Sequence, residues 1–234
     1  MTCIIVAHLG REVLIAADKR VTYISEDGAR TPIGDSEEKI VRTAVGVVTG
    51  CGAIAMLQPV KDLLSRLGFG HTDEVLELIQ KVRKEYSEVN ASCPHLQADL
   101  AETSWIFTYP TATKETFLTR VAFFHQSINS EKLSVVHEGK VMCFPSGVTL
   151  EQAQELQAQL QEFTTYCLGT LPHDQARQEV ISLMLRQMNE VAQISTSVSS
   201  ACDVAIVTGR DAYISMSANQ DEQMLQFSLM PHSL

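Results

Sequence analysis

Apolar and polar positions alternate near the start of the chain with a period of two, which is typical of strands that bury one face. Strands are predicted at residues 2–8, 12–17, 39–42 and 45–49. Leu9-Gly10-Arg11 joins the first two strands as a hairpin turn. Residues 23–38 are polar and contain Gly, Pro and Asp, so we expect a loop between the two strand pairs.

The apolar period changes to that of a helix after Gly50-Cys51-Gly52-Ala53, a turn of small residues. Helices are predicted at residues 54–67, 73–90, 150 to about 163, and about 174–192. Thr72 is the expected cap of the second helix, and Thr149 with Gln152 forms a capping box before the third.

Further strands are predicted at residues 104–110, 116–124, 133–137, 140–144, 204–207 and 212–214. The order is therefore strands, two helices, strands, two helices, strands. Segregated runs of this kind indicate an α+β fold with helices outside packed sheets, not a doubly wound parallel sheet. We expect one domain over residues 1–234, with a tail or an edge strand from about residue 218.

Composition narrows the range of partners. The 234 residues include 18 Lys plus Arg against 28 Asp plus Glu, a formal net charge of −10 with no basic stripe, which argues against a nucleic-acid surface. No apolar stretch approaches the roughly 20 residues that span a bilayer, so no membrane partner is expected. The six cysteines form no CxxC pair and predict reduced thiols in a cytoplasmic protein. The cysteine and histidine spacing predicts no metal site, and no cofactor is expected.

Several short motifs follow one another in an informative order. Ala17-Asp18-Lys19-Arg20-Val21-Thr22 places an aspartate sixteen residues after Thr2. Lys39, the Gly50-Cys51-Gly52 turn and Ser146-Gly147 come next along the chain. In this order and spacing the sequence resembles the β-type subunits of the proteasome, which are N-terminal-nucleophile hydrolases, and most of all bacterial homologues without a propeptide.

The resemblance implies a four-layer αββα sandwich of two antiparallel sheets flanked by helices. It also implies a catalytic threonine, Thr2, which becomes the first residue when Met1 is removed. A threonine hydroxyl needs a nearby base, and the freed α-amine, with an ordinary pKa of about 7.7–8.0, can serve as one. By resemblance, Lys39 lies beside the hydroxyl and stabilises the alkoxide that develops. Asp18 then holds the lysine by a charge-assisted hydrogen bond.

Three further sets of residues follow from the same resemblance. Ser146 would orient the Thr2 amine, and the backbone N–H of Gly52 would be the oxyanion donor, with Gly50 as second choice. The expected substrate-binding residues are Lys19, Thr22, Gly50 and Ile54. An extended peptide or unfolded protein would pair with the strand ends as an added strand.

One departure from the family leaves an alternative open. The family has an aspartate three residues before a serine near the last hairpin, whereas here no acid lies between Glu190 and Asp203, whether Ser197 or Ser199 is aligned. Proteasome-type rings also contain structural subunits without activity, and a chain that keeps Met1 would be inert. The resemblance implies a homo-oligomeric ring or double ring in either case, with helices 54–67 and 73–90 as ring contacts and an ATPase unfoldase as a further partner.

Overall fold

The computed structural model describes residues 2–25, 30–221 and 224–231. Within them the strands are β1 (Ile4–His8), β2 (Glu12–Asp18), β3 (Val21–Ile24), β4 (Arg30–Gly34), β5 (Val41–Arg42), β6 (Val47–Cys51), β7 (Ser104–Ala112), β8 (Phe117–His125), β9 (Asn129–Val136), β10 (Val141–Phe144), β11 (Cys202–Thr208), β12 (Asp211–Ala218) and β13 (Ser228–Leu229). The helices are α1 (Ile54–Leu67), α2 (Thr72–Val89), α3 (Leu96–Glu102), α4 (Leu150–Thr170) and α5 (His173–Ile194). No helix in these ranges is both long and apolar enough to cross a bilayer.

The first sheet has the strand order β10-β1-β2-β11-β12-β13, and its pairs are antiparallel. Ile4 lies opposite Phe144, and Asp18 lies opposite Cys202. The start of β1, the end of β2, the end of β10 and the start of β11 therefore meet at one end of this sheet. That convergence brings distant parts of the sequence together.

The second sheet has the order β5-β6-β7-β8-β9 and is also antiparallel. Cys51, the last residue of β6, lies opposite Ser104, the first residue of β7. α1 begins three residues after β6 ends, so the Gly52-Ala53 turn lies at the edge where this sheet meets the helical layer.

Three clusters of buried apolar side chains join four layers. Leu14 of the first sheet packs with Leu160 of α4 and Met184 of α5. Ile15 and Ile106 belong to a second cluster between the two sheets. A third cluster unites the second sheet with α1 and α2. The layer order is thus helices, sheet, sheet, helices, which confirms the predicted α+β, four-layer sandwich. Burial of these side chains, at about 25 cal/mol per Å² of apolar surface, is the main force that holds the layers together.

A small sheet and a short helix differ from the sequence-based prediction. Residues 23–38 were predicted as a loop, but some of them belong to a small two-stranded sheet of β3 and β4. Residues 26–29 of the predicted loop lie outside the described ranges. Tyr23 and Ile33 of this hairpin are exposed, so no buried face produces a periodic pattern. α3 was not predicted because it has seven residues and buries only Leu96.

The helix starts were predicted with mixed success. Thr149 Oγ1 accepts from the Gln152 N–H at 3.2 Å, and Gln152 Oε1 accepts from the Thr149 N–H at 2.9 Å, so the capping box is confirmed. The prediction that Thr72 caps α2 was wrong. Thr72 is the first helical residue, and His71 holds the cap position without a side-chain hydrogen bond.

Candidate active site

Thr2 lies just before β1, at the end of the first sheet where four chain segments meet. It is 5% exposed. Its backbone N–H donates to Ser146 Oγ at 3.1 Å, and the Ser146 hydroxyl donates to the Thr2 carbonyl at 2.6 Å. Because β1 and β10 are antiparallel, the residue before β1 lies beside the segment that follows β10. Ser146 therefore fixes both backbone polar groups of Thr2.

Asp18 ends β2 beneath this point and is completely buried. Its Oδ1 accepts from the Cys3 N–H and from Lys39 Nζ, both at 2.9 Å. Its Oδ2 accepts from the Arg20 N–H at 2.9 Å and the Ser199 N–H at 3.2 Å. Four donors thus meet the cost of burying this carboxylate. They tie together the start of β1, the end of β2 and the segment before β11.

Lys39 brings a positive charge to the same place. It is 6% exposed, and its Nζ donates to Asp18 Oδ1 at 2.9 Å and to the Arg20 carbonyl at 2.7 Å. Burial lowers the pKa of the Lys39 ammonium, and the Asp18 carboxylate opposes that decrease. The two hydrogen bonds hold the ammonium in one position.

The end of β6 and the turn that follows it each require a glycine. Gly52 has φ +115°, and a Cβ there would lie 2.4 Å from Thr103 Oγ1 and 2.5 Å from Thr103 Cα. A Cβ at Gly50 would lie 2.4 Å from the Ser104 carbonyl oxygen. The next N–H, that of Ala53, donates to Thr103 Oγ1 at 3.0 Å. The close approach of the end of β6 to the start of β7 therefore accounts for both glycines, without any catalytic role.

A cavity of about 240 Å³ opens beside Thr2. Among the residues expected from the sequence, those that line it are Thr2, Lys39, Gly52, Thr22, Gly50 and Ile54. Ser146 lines an adjoining cavity of about 330 Å³ together with Gly52. Asp18 lies behind Lys39. Three of the five expected catalytic residues and three of the four expected substrate-binding residues thus line this cavity. Asp18 reaches it only through Lys39, and Ser146 only through its hydrogen bonds with Thr2.

Lys19 differs from the expectation that it contacts substrate. Its side chain is buried, and its Nζ lies 2.9 and 3.0 Å from the two carboxylate oxygens of Asp203. It is not among the residues that line the cavity. The β2–β11 register places Asp203 opposite Ala17, two residues before Lys19. The buried carboxylate is therefore close enough to form an ion pair with the Lys19 ammonium.

The segment after α5 contacts the site through polar groups that the sequence did not assign individually. The Ser199 N–H donates to Asp18, and Ser199 Oγ accepts from the Lys19 N–H at 2.9 Å. Arg20 Nη1 donates to the carbonyl oxygens of Thr196 and Val198 at 3.1 and 3.0 Å. This segment, in which no acid lies between Glu190 and Asp203, is therefore attached to the site by backbone groups and a serine hydroxyl.

Lys61 is a further cavity residue that sequence reasoning missed. It lies on the buried face of α1 with Leu57 and Leu64 and is 4% exposed. A lysine at helical spacing within an otherwise apolar face was the signal available in the sequence. Its Nζ donates to the Lys39 carbonyl at 2.9 Å.

Neither a family model nor a curated protein matches the chain. Among solved structures, the chain is similar to Anbu (ancestral beta-subunit) from Yersinia bercovieri, with a TM-score of 0.54 and 13% sequence identity. The superposition covers 99% of this chain and 89% of that chain. At this identity the likeness shows a shared fold alone.

Proposed function

We propose that the chain is a threonine-type peptidase that hydrolyses peptide bonds through an acyl-enzyme on Thr2, after removal of Met1. The observation that carries this proposal is the arrangement at the cavity. Thr2 is fixed by Ser146, and the buried Lys39 ammonium is held by Asp18 in the wall of the same cavity. A structural role alone gives no reason to collect a buried ammonium, a buried carboxylate and a threonine at one opening.

The proposed base is the α-amine that Met1 removal would free. Its ordinary pKa of about 7.7–8.0 leaves a large unprotonated fraction near neutrality. Ser146 would orient this amine through the hydrogen bond that it now makes with the Thr2 nitrogen. The amine takes the proton from the Thr2 hydroxyl as the oxygen attacks the substrate carbonyl carbon. The positive charge of Lys39 favours the unprotonated amine and stabilises the developing alkoxide.

The remaining steps stabilise the oxyanion, break the C–N bond and hydrolyse the ester on Thr2. The carbonyl oxygen becomes an oxyanion for which the Gly52 N–H is the proposed donor, with Gly50 as second choice; one such donor contributes about 3–4 kcal/mol. The C–N bond then breaks, the leaving amine takes the proton from the Thr2 α-amine, and an ester on Thr2 remains. Water hydrolyses this ester and regenerates the free hydroxyl.

We also propose peptide or unfolded protein as substrate, and a homo-oligomeric ring or double ring as the assembly. Thr22 and Gly50 line the cavity at strand ends, which suits an extended peptide that binds as an added strand. Leu67 of α1 and Val89 of α2 are 77% and 83% exposed, and contact through these helices would bury their side chains. An ATPase unfoldase and a cytoplasmic location remain parts of this proposal.

The second candidate function is that of an inert ring subunit. The missing aspartate near Ser197 and Ser199 favours it, because the segment there offers hydroxyl and backbone groups instead of a carboxylate. The two candidates differ at Met1, which lies outside the described residues. A retained Met1 would leave the Thr2 nitrogen in an amide, which cannot accept the proton.

The test combines intact mass with covalent labelling of the purified full-length protein. We expect a mature chain that begins at Thr2 and a single adduct with a peptide epoxyketone, which reacts with a terminal amine and hydroxyl together. Thr2→Ala should abolish the adduct and peptide hydrolysis, whereas Thr165→Ala on exposed α4 should change neither. Retained Met1, an adduct elsewhere, or neither adduct nor hydrolysis would favour the inert subunit.

A further inference from the structure

Lys61 places a second ammonium in the cavity beside Thr2. The side chain leaves the buried face of α1, lines the same cavity as Thr2 and Lys39, and is 4% exposed. Its Nζ donates to the Lys39 carbonyl at 2.9 Å. Within the described ranges no carboxylate lies within ion-pair distance of this nitrogen. An ammonium has three donors, and one carbonyl meets the need of only one of them.

The negative charges near Lys61 do not offset the effect of burial on its ammonium. The pKa of Lys61 is lowered to about 8: burial is the largest cause and Lys39 acts in the same direction, whereas Glu37 and Asp62 raise it. Burial outweighs both acids, so the protonated form is poorly solvated and poorly paired. Such a group gains more from an anion than an exposed lysine does.

Three acids also line the cavity, and one of them, Glu37, is half-buried and raises the pKa of Lys61 through its charge. The remaining ionised residues of the cavity wall have a partner or contact water. Arg20 makes two hydrogen bonds of 2.7 Å with Asp35. Asp99 accepts from the Tyr86 hydroxyl at 2.7 Å, and Glu102 is exposed to water. Solvent screens the partly exposed acids more strongly than the buried ammonium. Among the charged groups of the cavity wall, the Lys61 ammonium therefore gains most from a bound counter-charge.

We infer that Lys61 is a specificity residue that binds a carboxylate side chain of the substrate, so that the cavity prefers a peptide with an acidic residue. The peptide substrate belongs to the proposed function, but the binding of the carboxylate does not require hydrolysis. Ile54 and Leu57 line the same cavity and suit the methylene groups of a glutamate.

Equilibrium binding tests this inference without turnover. We would use full-length protein with Thr2→Ala and three N-acetylated, C-amidated peptides, Leu-Leu-Glu, Leu-Leu-Gln and Leu-Leu-Leu, measured by calorimetry. The glutamate peptide should bind at least about tenfold more tightly than the glutamine peptide, as expected for a hydrogen-bonded charge pair. Lys61→Met should remove this ratio, and Lys84→Met, at an exposed lysine of α2, should retain it.

The pH dependence gives an independent readout of the same ratio. Carboxylate binding requires protonated Lys61, so the ratio of glutamate to glutamine affinity should fall as the pH rises from about 7 to about 10. Equal affinities for the two peptides, a ratio that survives Lys61→Met, a ratio independent of pH, or no binding of any peptide would overturn the inference. If Lys61→Met does not fold, the comparison of the two peptides in the Thr2→Ala protein and its pH dependence still decide.

Hydrolysis of the same sequences with a fluorogenic leaving group separates this inference from the proposed function. Cleavage without a preference for glutamate would retain the peptidase and overturn the role of Lys61. Selective glutamate binding by Thr2→Ala protein, without hydrolysis by the parent protein, would retain the carboxylate site and contradict the peptidase.

Discussion

At the scale of single residues, the site depends on how buried charges are satisfied. The chain buries two ion pairs close together, Lys39 with Asp18 and Lys19 with Asp203. The first lies at the cavity and the second does not. Because both acids are almost fully buried, the two pairs differ mainly in their relation to Thr2. Comparing variants of the two pairs therefore separates the effect of a buried ion pair on stability from its effect on hydrolysis.

Asp18→Asn should reduce both stability and hydrolysis. Each oxygen of Asp18 accepts two donors, so an amide NH₂ in either orientation would face two donors, and Lys39 would lose its anionic partner. Breaking a buried pair costs about 3–5 kcal/mol of unfolding free energy. Per folded molecule, kcat should also fall at least about tenfold, since the ammonium loses its fixed position. Urea denaturation and peptide hydrolysis measure the two effects.

Asp203→Asn is the matched control for that experiment. Its amide would face Lys19, so a similar loss of stability is expected, but hydrolysis per folded molecule should remain close to that of the parent. If the two variants lost activity equally, the Lys39–Asp18 pair would have no role beyond folding.

At the scale of elements, the turn from β6 into α1 positions the cavity. Thr2 approaches the cavity from the first sheet, and the glycine turn approaches it from the second. Thr103 packs against the turn through its side chain and through its Cα. The geometry of this opening thus rests on close contact between two backbones.

Gly52→Ala should disturb this contact severely. The new Cβ would lie 2.5 Å from the Thr103 Cα at a φ of +115°, so both strain and a backbone clash are expected. We expect a loss of about 2 kcal/mol or more of unfolding free energy, measured by thermal or urea denaturation. Gly169→Ala in α4 meets no atom within 4 Å and should be neutral or stabilise the protein by up to about 1 kcal/mol. Equal stability of the two variants would contradict this account.

Prediction from the sequence worked where one face of an element is buried along its length. α1 was predicted at its observed bounds because Met56, Val60 and Leu64 repeat at helical spacing. The β3–β4 hairpin and α3 were missed because both are short and bury little, so their local sequence has no period. α4 extends past the predicted end at about Phe163 to Thr170, because Thr164 and Cys167 are buried and continue its inner face.

The candidate site was predictable to the extent that short motifs define it. Asp18, Lys39 and Gly52 could be proposed from their order after Thr2. The orientation of Lys19 could not, since its partner Asp203 follows it by 184 positions and is brought close only by the β2–β11 register. The same holds for Ser199, whose N–H meets Asp18 through the fold.

At the scale of the whole molecule, two strongly exposed apolar side chains lie at the ends of the helices that are proposed as ring contacts. Leu67 ends α1 and Val89 ends α2, and both belong to the outer helical layer on the side of the second sheet. Buried contact with another copy would remove this surface from water. If the proposed ring forms through these helices, the two helix ends should be buried at the contact between subunits. The prediction of one domain over residues 1–234 stays a prediction.

Leu67→Lys should dissociate the proposed ring and leave the subunit folded. A lysine at a helix C-terminus is favoured by the helix dipole, so it should not destabilise α1 itself, but it would place a charge in an apolar contact. Leu150→Glu is the matched control, because it places a dipole-favoured charge at an equally exposed leucine, 75% exposed, at the start of α4. Size-exclusion chromatography with light scattering should show a large assembly for the parent and for Leu150→Glu, and a smaller species with unchanged circular dichroism for Leu67→Lys. A monomeric parent would contradict the ring, whereas an intact Leu67→Lys assembly would move the contact away from the end of α1.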